Sequence, residues 1–260
     1  MHYLDEGQGD PILCVHGNPT WSFYYRNIVN AFRDSHRVVV PDHLGCGLSG
    51  RPQNYTYTLQ DHIDNLEALS LHLDLRNITL IVHDWGGPIG LGFALKHPER
   101  IKNIILLNTA AFLSRDIPKR IAALRASTDL LIRRANLFCI AASYMTTVKP
   151  LDPVLKRAYR SPYRTYRDRI AIAGFVKDIP LLPEDASYKT LESIEYGLKS
   201  LHRPTLILWG GRDFCFHKGF FRTWTQIYPH AQAHMFDSAG HYVLEDEVEG
   251  VVRHMREFLR

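Results

Sequence analysis

Three short segments carry side chains able to make and break covalent bonds. Leu80-Ile81-Val82-His83-Asp84-Trp85-Gly86-Gly87 passes from a β-branched strand pattern into a helical one through Leu91, Phe93, Ala94 and Leu95, with Asp84 at the joint. Gly86 and Gly87 permit a sharp strand-to-helix bend, which lifts the central side chain above the carboxyl end of a sheet. An Asp at that position also suits a plain helix N-cap, so the segment alone does not choose. Asp213 and His241 each follow a further apolar run, Thr205–Trp209 and Ala233–Phe236. A carboxylate is ionised at neutral pH and needs no base to attack a saturated carbon bearing a leaving group. An ester of Asp84 would form, and His241, held in one tautomer by Asp213, would activate the water that cleaves it.

Such chemistry requires strands that end together. Met1–Leu4 and Pro11–Val15 read as strands, and His16-Gly17-Asn18-Pro19 follows the second, at the same carboxyl end as Asp84. The backbone N–H groups of Asn18 and Trp85 are placed to receive an oxyanion. The Trp85 indole N–H and the two N–H donors of the Asn18 amide suit a desolvated halide, which accepts but cannot donate. Trp21 through Phe32 reads as one amphipathic helix burying Phe23, Tyr24, Ile28, Val29 and Phe32. Arg37–Val40 is the next strand. Asp42 and His43 look catalytic, but they open the Gly-rich run to Ser49, read here as a structural turn. A core helix spans Leu59–Leu73 and a buried strand Ile104–Leu107.

From Leu113 to Tyr188 the strand–helix alternation stops. Ile117–Ala142, Pro153–Tyr159 and Tyr163–Phe175 read as helices, separated by Pro150, Pro153 and Pro162, with Pro180 beyond the last. Leu137, Phe138, Ile140, Tyr144, Phe175 and Val176 are expected to pack this block onto the body or to wall a pocket. Arg157, Arg160, Arg164, Arg167 and Arg169 read as a solvated face. Alternation resumes with a helix over Phe220–Ile227 and a terminal helix over Glu245–Leu259.

The 260 residues suffice for one large α/β domain with an insertion, and the formal charge of +4 is too mild and too mixed with acids for a nucleic-acid binder. Cys14, Cys46, Cys139 and Cys215 show no C-x-x-C pairing and suit reduced thiols. With no leader pattern and no apolar run long enough to span a membrane, a cytoplasmic location is expected. The sequon Asn77-Ile78-Thr79 carries no weight without a secretory signal.

His16-Gly17-Asn18-Pro19-Thr20-Trp21, the segment Pro41–Ser49, the Asp84 bend and Gly240-His241 together closely resemble the haloalkane dehalogenase family of the α/β-hydrolase fold. The resemblance implies an α/β class, a mostly parallel central sheet flanked by helices, and a helical cap inserted between sheet strands. The expected division is a core of 1–112 and 191–260 around a cap of 113–190. It implies a triad of Asp84, Asp213 and His241, with Asp213 preferred over the nearer Asp237 because the loop after Thr205–Trp209 delivers the acid in this fold. Asn18 and Trp85 match the family's halide clamp. One more strand usually precedes the segment matching Met1–Glu6, and some branches carry a Glu after the strand matching Ile104–Leu107, where this chain has no carboxylate. Neither cofactor nor metal is expected; the partners implied are a small hydrophobic substrate and a halide ion.

Leu107–Phe112, Phe175–Leu181 and Arg212–Phe216 further resemble the subgroup that includes the β-lactone decarboxylases of bacterial olefin synthesis. The catalytic residues do not separate the two activities. Hydrolytic dehalogenation is placed first, as the family's commoner reaction, and the lyase second. Epoxide hydrolysis, with Tyr144, Tyr159, Tyr163 or Tyr166 as acid, and non-catalytic ligand binding stand behind them.

Overall fold

A computed structural model describes residues 1–114 and 124–260. Among these, seven strands form one sheet: β1 (Tyr3–Glu6), β2 (Pro11–Val15), β3 (Arg37–Pro41), β4 (Ile78–Asp84), β5 (Ile101–Thr109), β6 (Thr205–Gly210) and β7 (Gln232–Phe236). Their spatial order is β1-β3-β2-β4-β5-β6-β7, with only the edge strand β1 antiparallel to its neighbour. Side chains of the buried runs alternate between two cores. Ile12, Cys14, Ile81 and Ile105 join one apolar cluster, and Leu13, Val15, Leu80, Val82 and Ile104 join the other. A sheet buried on both faces needs helices on both. α1 (Arg26–Phe32) lies against the C-terminal helix on one side. α2 (Leu59–His72) and α3 (Gly86–Lys96) pack together on the other. α2 begins at a full capping box, Thr58 with Asp61.

After β3 the chain crosses back past β2 to form β4, so strand order reverses between β2 and β4. Open α/β sheets bind ligands outside the carboxyl ends of the strands at such a point. Here those ends carry Gly17-Asn18 and Asp84. Between β5 and β6 the described helical elements include a π-helical turn (Thr128–Arg134), α4 (Leu137–Met145), α5 (Pro153–Arg160), α6 (Ile170–Lys177) and α7 (Tyr188–Gly197), with short 3-10 turns among them. Beyond β6 come α8 (Lys218–Ile227), α9 (Val243–Asp246) and α10 (Val248–Phe258).

Several elements differ from expectation. Trp21–Phe32 is not one helix: Ser22–Tyr25 is a 3-10 turn, with the Ser22 N–H held by the Asp42 carboxylate at 2.6 Å, and α1 follows it. The expected helix Ile117–Ala142 begins outside the described residues and is interrupted within them at Asn136, which adopts φ 55° and donates to the Tyr163 carbonyl. Arg169 is not on a solvated face. It is buried, and its guanidinium donates to the carbonyls of Arg133, Arg134 and Tyr163. α7 was not anticipated; it packs on α2 and α3, with Ile194 beside Gly92.

Asp84 ends β4 at φ 52°, a left-handed conformation that costs a non-glycine residue about 1–3 kcal/mol. Burying each apolar side chain of β4 is worth about 1.5–3 kcal/mol, so the strand's own packing outweighs the strain at its end. The bend leaves no room for a side chain at Gly86, whose added Cβ would lie 2.0 Å from the Val15 carbonyl oxygen. Gly86→Ala should therefore lower the denaturant midpoint, by at least about 1–3 kcal/mol of stability. An unchanged midpoint would show that β2 and α3 are not in the close contact described.

Candidate active site

Asp84 is buried at the floor of a cavity of about 140 Å³. Asn18 and Trp85 share that floor, and the walls are largely apolar: Leu59 and Pro88 from the body, Phe138, Val176, Ile179 and Pro180 from the helical block, Phe216 and Phe220 from the segment after β6. The Asn18 backbone N–H donates to Asp84 Oδ1 at 2.6 Å, and the Trp85 backbone N–H also serves the same carboxylate. The Asn18 side chain spends one N–H on the Ile172 carbonyl, at 3.1 Å, and keeps a second donor. Among the described residues no acceptor takes the Trp85 indole N–H. The cavity thus offers side-chain donors over an apolar lining, the arrangement that favours an accepting leaving group.

His241 Nδ1 lies 2.7 Å from Asp213 Oδ2, and its Nε2 lies 3.6 Å from Asp84 Oδ2. An acceptor-only carboxylate requires the proton on Nδ1, so Nε2 is the atom presented to Asp84. Asp213 is itself held from three directions. Its Oδ1 accepts from the backbone N–H groups of Cys215 and Phe216, at 2.6 and 3.1 Å, and its Oδ2 accepts from Asn108 Nδ2 at 2.9 Å. Asp237, the rival acid, is largely exposed and paired with Lys218 at 2.9 Å. It takes no part in the site.

Charge follows from this geometry. Burial resists an imidazolium at His241, but the charge and hydrogen bond of Asp213, with the charge of Asp84, outweigh it and raise the pKa above the ordinary value. Burial raises the Asp84 pKa as well, opposed by His241 and by the N–H groups of Asn18 and Trp85. The surrounding histidines are of another kind. Burial lowers the pKa of His16 to about 4 and lowers those of His43 and His83 well below the ordinary value, so these three stand neutral.

Three supporting residues escaped the sequence reading. Asn108 closes β5 onto β6 by pairing with both backbone groups of Gly210 while it donates to Asp213. A polar side chain at the end of the apolar run Ile104–Leu107 was the available signal. His83 Nε2 donates to the His241 carbonyl at 2.9 Å, fixing the loop that carries the imidazole. Asp246 accepts from the N–H groups of Gly240, Val148 and Lys149, tying that loop to the chain after α4. Asp42 and His43 are structural, as expected. The Asp42 carboxylate receives Ser22, Leu48 and His2, and His43 bonds to His16 through both strands' loops.

The tyrosines required for epoxide opening are elsewhere. None of the four lines the cavity. Tyr144 is 60% exposed, Tyr159 bonds to Glu245, Tyr163 to Gly47 and Thr20, and Tyr166 to Asp129. None of these four tyrosines is placed to protonate an epoxide oxygen in this cavity. All four cysteines are free thiols. No group of three or more metal-ligating side chains occurs among the described residues, and no described helix is long and apolar enough to cross a membrane.

Residues 10–248 match the family model of the alpha/beta hydrolase fold. The chain belongs to the α/β-hydrolase family. Among relatives of this hydrolase, a cis-3-alkyl-4-alkyloxetan-2-one decarboxylase of Shewanella oneidensis is 45% identical over 100% of this chain and 85% of its own length. One from Xanthomonas campestris is 40% identical, covering 100% and 92%. Haloalkane dehalogenase 2 of Mycobacterium bovis is 33% identical over 95% and 86%. In structure, the hydrolase resembles a haloalkane dehalogenase from Agrobacterium tumefaciens C58, with a TM-score of 0.89 and 26% identity over 99% of this chain and 91% of that one.

The raised His241 pKa has a definite sign in folding. The native hydrolase holds this proton more tightly than the unfolded chain, so the stabilisation is complete below pH about 6.5 and is lost as pH rises through the raised native value. Asp213→Asn removes the larger favourable contribution. The His241 imidazole resonance should then titrate at lower pH than in the parent protein; an unmoved midpoint would mean that Asp213 does not hold the imidazolium.

Proposed function

We propose that this hydrolase opens a cis-3,4-dialkyl β-lactone and releases an alkene and carbon dioxide, with Asp84 as nucleophile. The observation that carries the reading is full-length likeness: 45% and 40% identity to the two decarboxylases against 33% to the dehalogenase. This reverses the expected order, which placed dehalogenation first as the family's commoner reaction; Asp84, Asp213, His241, Asn18 and Trp85 serve either.

An Asp84 oxygen attacks C4 of the lactone from the face opposite the ring oxygen, and the C4–O bond breaks. The ring carbonyl becomes a free carboxylate, received by the Asn18 and Trp85 side-chain donors that would otherwise meet a halide. The C3–carboxyl bond then breaks, its electron pair forms the C3=C4 bond, and Asp84 departs from C4. Carbon dioxide leaves, Asp84 is restored, and neither water nor a proton is consumed. His241, held as imidazolium by Asp213, stabilises the Asp84 carboxylate as it re-forms. Inversion at C4 followed by departure from opposite faces converts a cis lactone into a cis alkene. The apolar walls suit two alkyl arms, and exclusion of water protects the ester from hydrolysis. Residues 113–190 are assigned to a cap over a core of 1–112 and 191–260, because Phe138, Val176, Ile179 and Pro180 supply the cavity's outer wall.

The His241–Asp213 pair, at 2.7 Å, also supports a second reading, hydrolysis of a haloalkane through the same ester. In that case neutral His241 draws a proton from water, water attacks the Asp84 carbonyl carbon, and the backbone N–H groups of Asn18 and Trp85 hold the oxyanion. Turnover of a cis-3,4-dialkyl β-lactone in water enriched in oxygen-18 separates the two. Decarboxylation predicts cis alkene, carbon dioxide and an unlabelled Asp84 peptide. Hydroxy acid as the product, with oxygen-18 in Asp84, would overturn it in favour of hydrolysis.

A further inference from the structure

We infer that the outer face of α4 and α5 is a docking surface for an anionic lipid bilayer. α4 is two-sided in an unusual way. Its inner side carries Phe138 to the cavity and buries Cys139 and Ser143, yet its outer side is also apolar. Leu137, Ala141, Tyr144 and Met145 recur at helical spacing on that outer side, with Leu137, Tyr144 and Met145 exposed by 48%, 60% and 47%. Val148, just past the helix, and Val154, on the neighbouring α5, are exposed as well. Single exposed apolar residues are ordinary, but a run of them on two packed helices marks a contact surface.

The charge around this stripe is predominantly positive. Residues 137–167 contain Lys149, Lys156, Arg157, Arg160, Arg164 and Arg167 against Asp152 alone, a net +5 in a chain whose total is +4. The remainder of the protein is therefore close to neutral, and its basic character is gathered here. Among the described residues none of these six cations is in an ion pair, so their charge is not spent within the fold. Lys156 Nζ sits 4.0 Å from the centre of the Tyr144 ring, which places a cation on the edge of the apolar stripe.

Apolar side chains projecting from convex helices, bordered by unpaired cations, match the interface of an anionic bilayer, where acyl chains receive the former and headgroups the latter. A predominantly positive charge suits a laterally fluid anionic surface. Because Phe138 of the same helix lines the cavity, docking would set the cavity wall against the lipid. The inference concerns the surface alone and stands whichever reaction Asp84 performs.

Co-sedimentation with vesicles tests it directly. The full chain is mixed with vesicles of phosphatidylcholine alone, or with roughly a third phosphatidylglycerol, at low and high salt. Binding to the anionic vesicles should be at least about tenfold tighter and weaken with salt. Met145→Asp with Val154→Asp, or Arg157→Glu with Arg164→Glu, should each weaken it by about tenfold while the thermal melt stays unchanged. Equal binding to both vesicle types, no binding to either, or wild-type binding by the folded variants would overturn the inference. So would a wild-type dimer in solution that Met145→Asp dissociates, which would assign the face to a second copy.

Discussion

The structure turns on the hydrogen bond from the Asn18 backbone N–H to Asp84 Oδ1, 2.6 Å long. It joins the carboxyl ends of β2 and β4, the two strands between which the sheet reverses its order, and it exists only because both strands stop at the same height. A buried carboxylate without donors would take up a proton and cease to be a nucleophile. The charge of His241 and two backbone N–H groups, from Asn18 and Trp85, oppose that tendency. The left-handed bend at Asp84 and the absence of side chains at Gly86 and Gly87 are the local cost of aiming the carboxylate at those donors.

Around that bond the charges are arranged in a row. Asp84, His241 and Asp213 alternate negative, positive and negative when the imidazole is protonated, with separations of 3.6 and 2.7 Å. Asn108 and the N–H groups after Asp213 fix the far end of the row, and His83 and Asp246 fix the loop at its middle. In the proposed chemistry the same row would serve either fate of an Asp84 ester. A neutral imidazole would activate water, whereas an imidazolium beside a dry pocket leaves the ester to lose its carboxylate. What divides the two outcomes is therefore access of water and the shape of the apolar walls, more than the identity of the catalytic groups.

That division explains what could be read from the sequence. β2, β4 and β6 were legible because each is a short apolar run, which puts Asp84 at the end of one and Asn18 and Asp213 just past the other two; the choice of Asp213 as the acid came from the resemblance. The reaction was not legible, because its residues are common to both chemistries; the commoner reaction of the family was placed first, whereas the relatives most alike along the whole chain are decarboxylases. Arg169 was misread because an Arg among other arginines looks solvated, while its guanidinium in fact donates to three backbone carbonyls. Asn108 was passed over since an amide carries no charge to draw attention; its importance lies in the two backbone groups and one carboxylate it joins. The Ser22–Tyr25 turn departs from the expected α-helix, and its first N–H is held by Asp42, which is distant in sequence.

Trapping the covalent intermediate bears most directly on the claim that Asp84 attacks carbon. A His241→Phe variant lacks the base that hydrolysis of the ester requires, so after incubation with 1-bromohexane the peptide containing Asp84 should gain the mass of one hexyl group, located on Asp84 by fragmentation. An unmodified Asp84 peptide in that variant, while the parent protein consumes the same bromoalkane, would contradict the account.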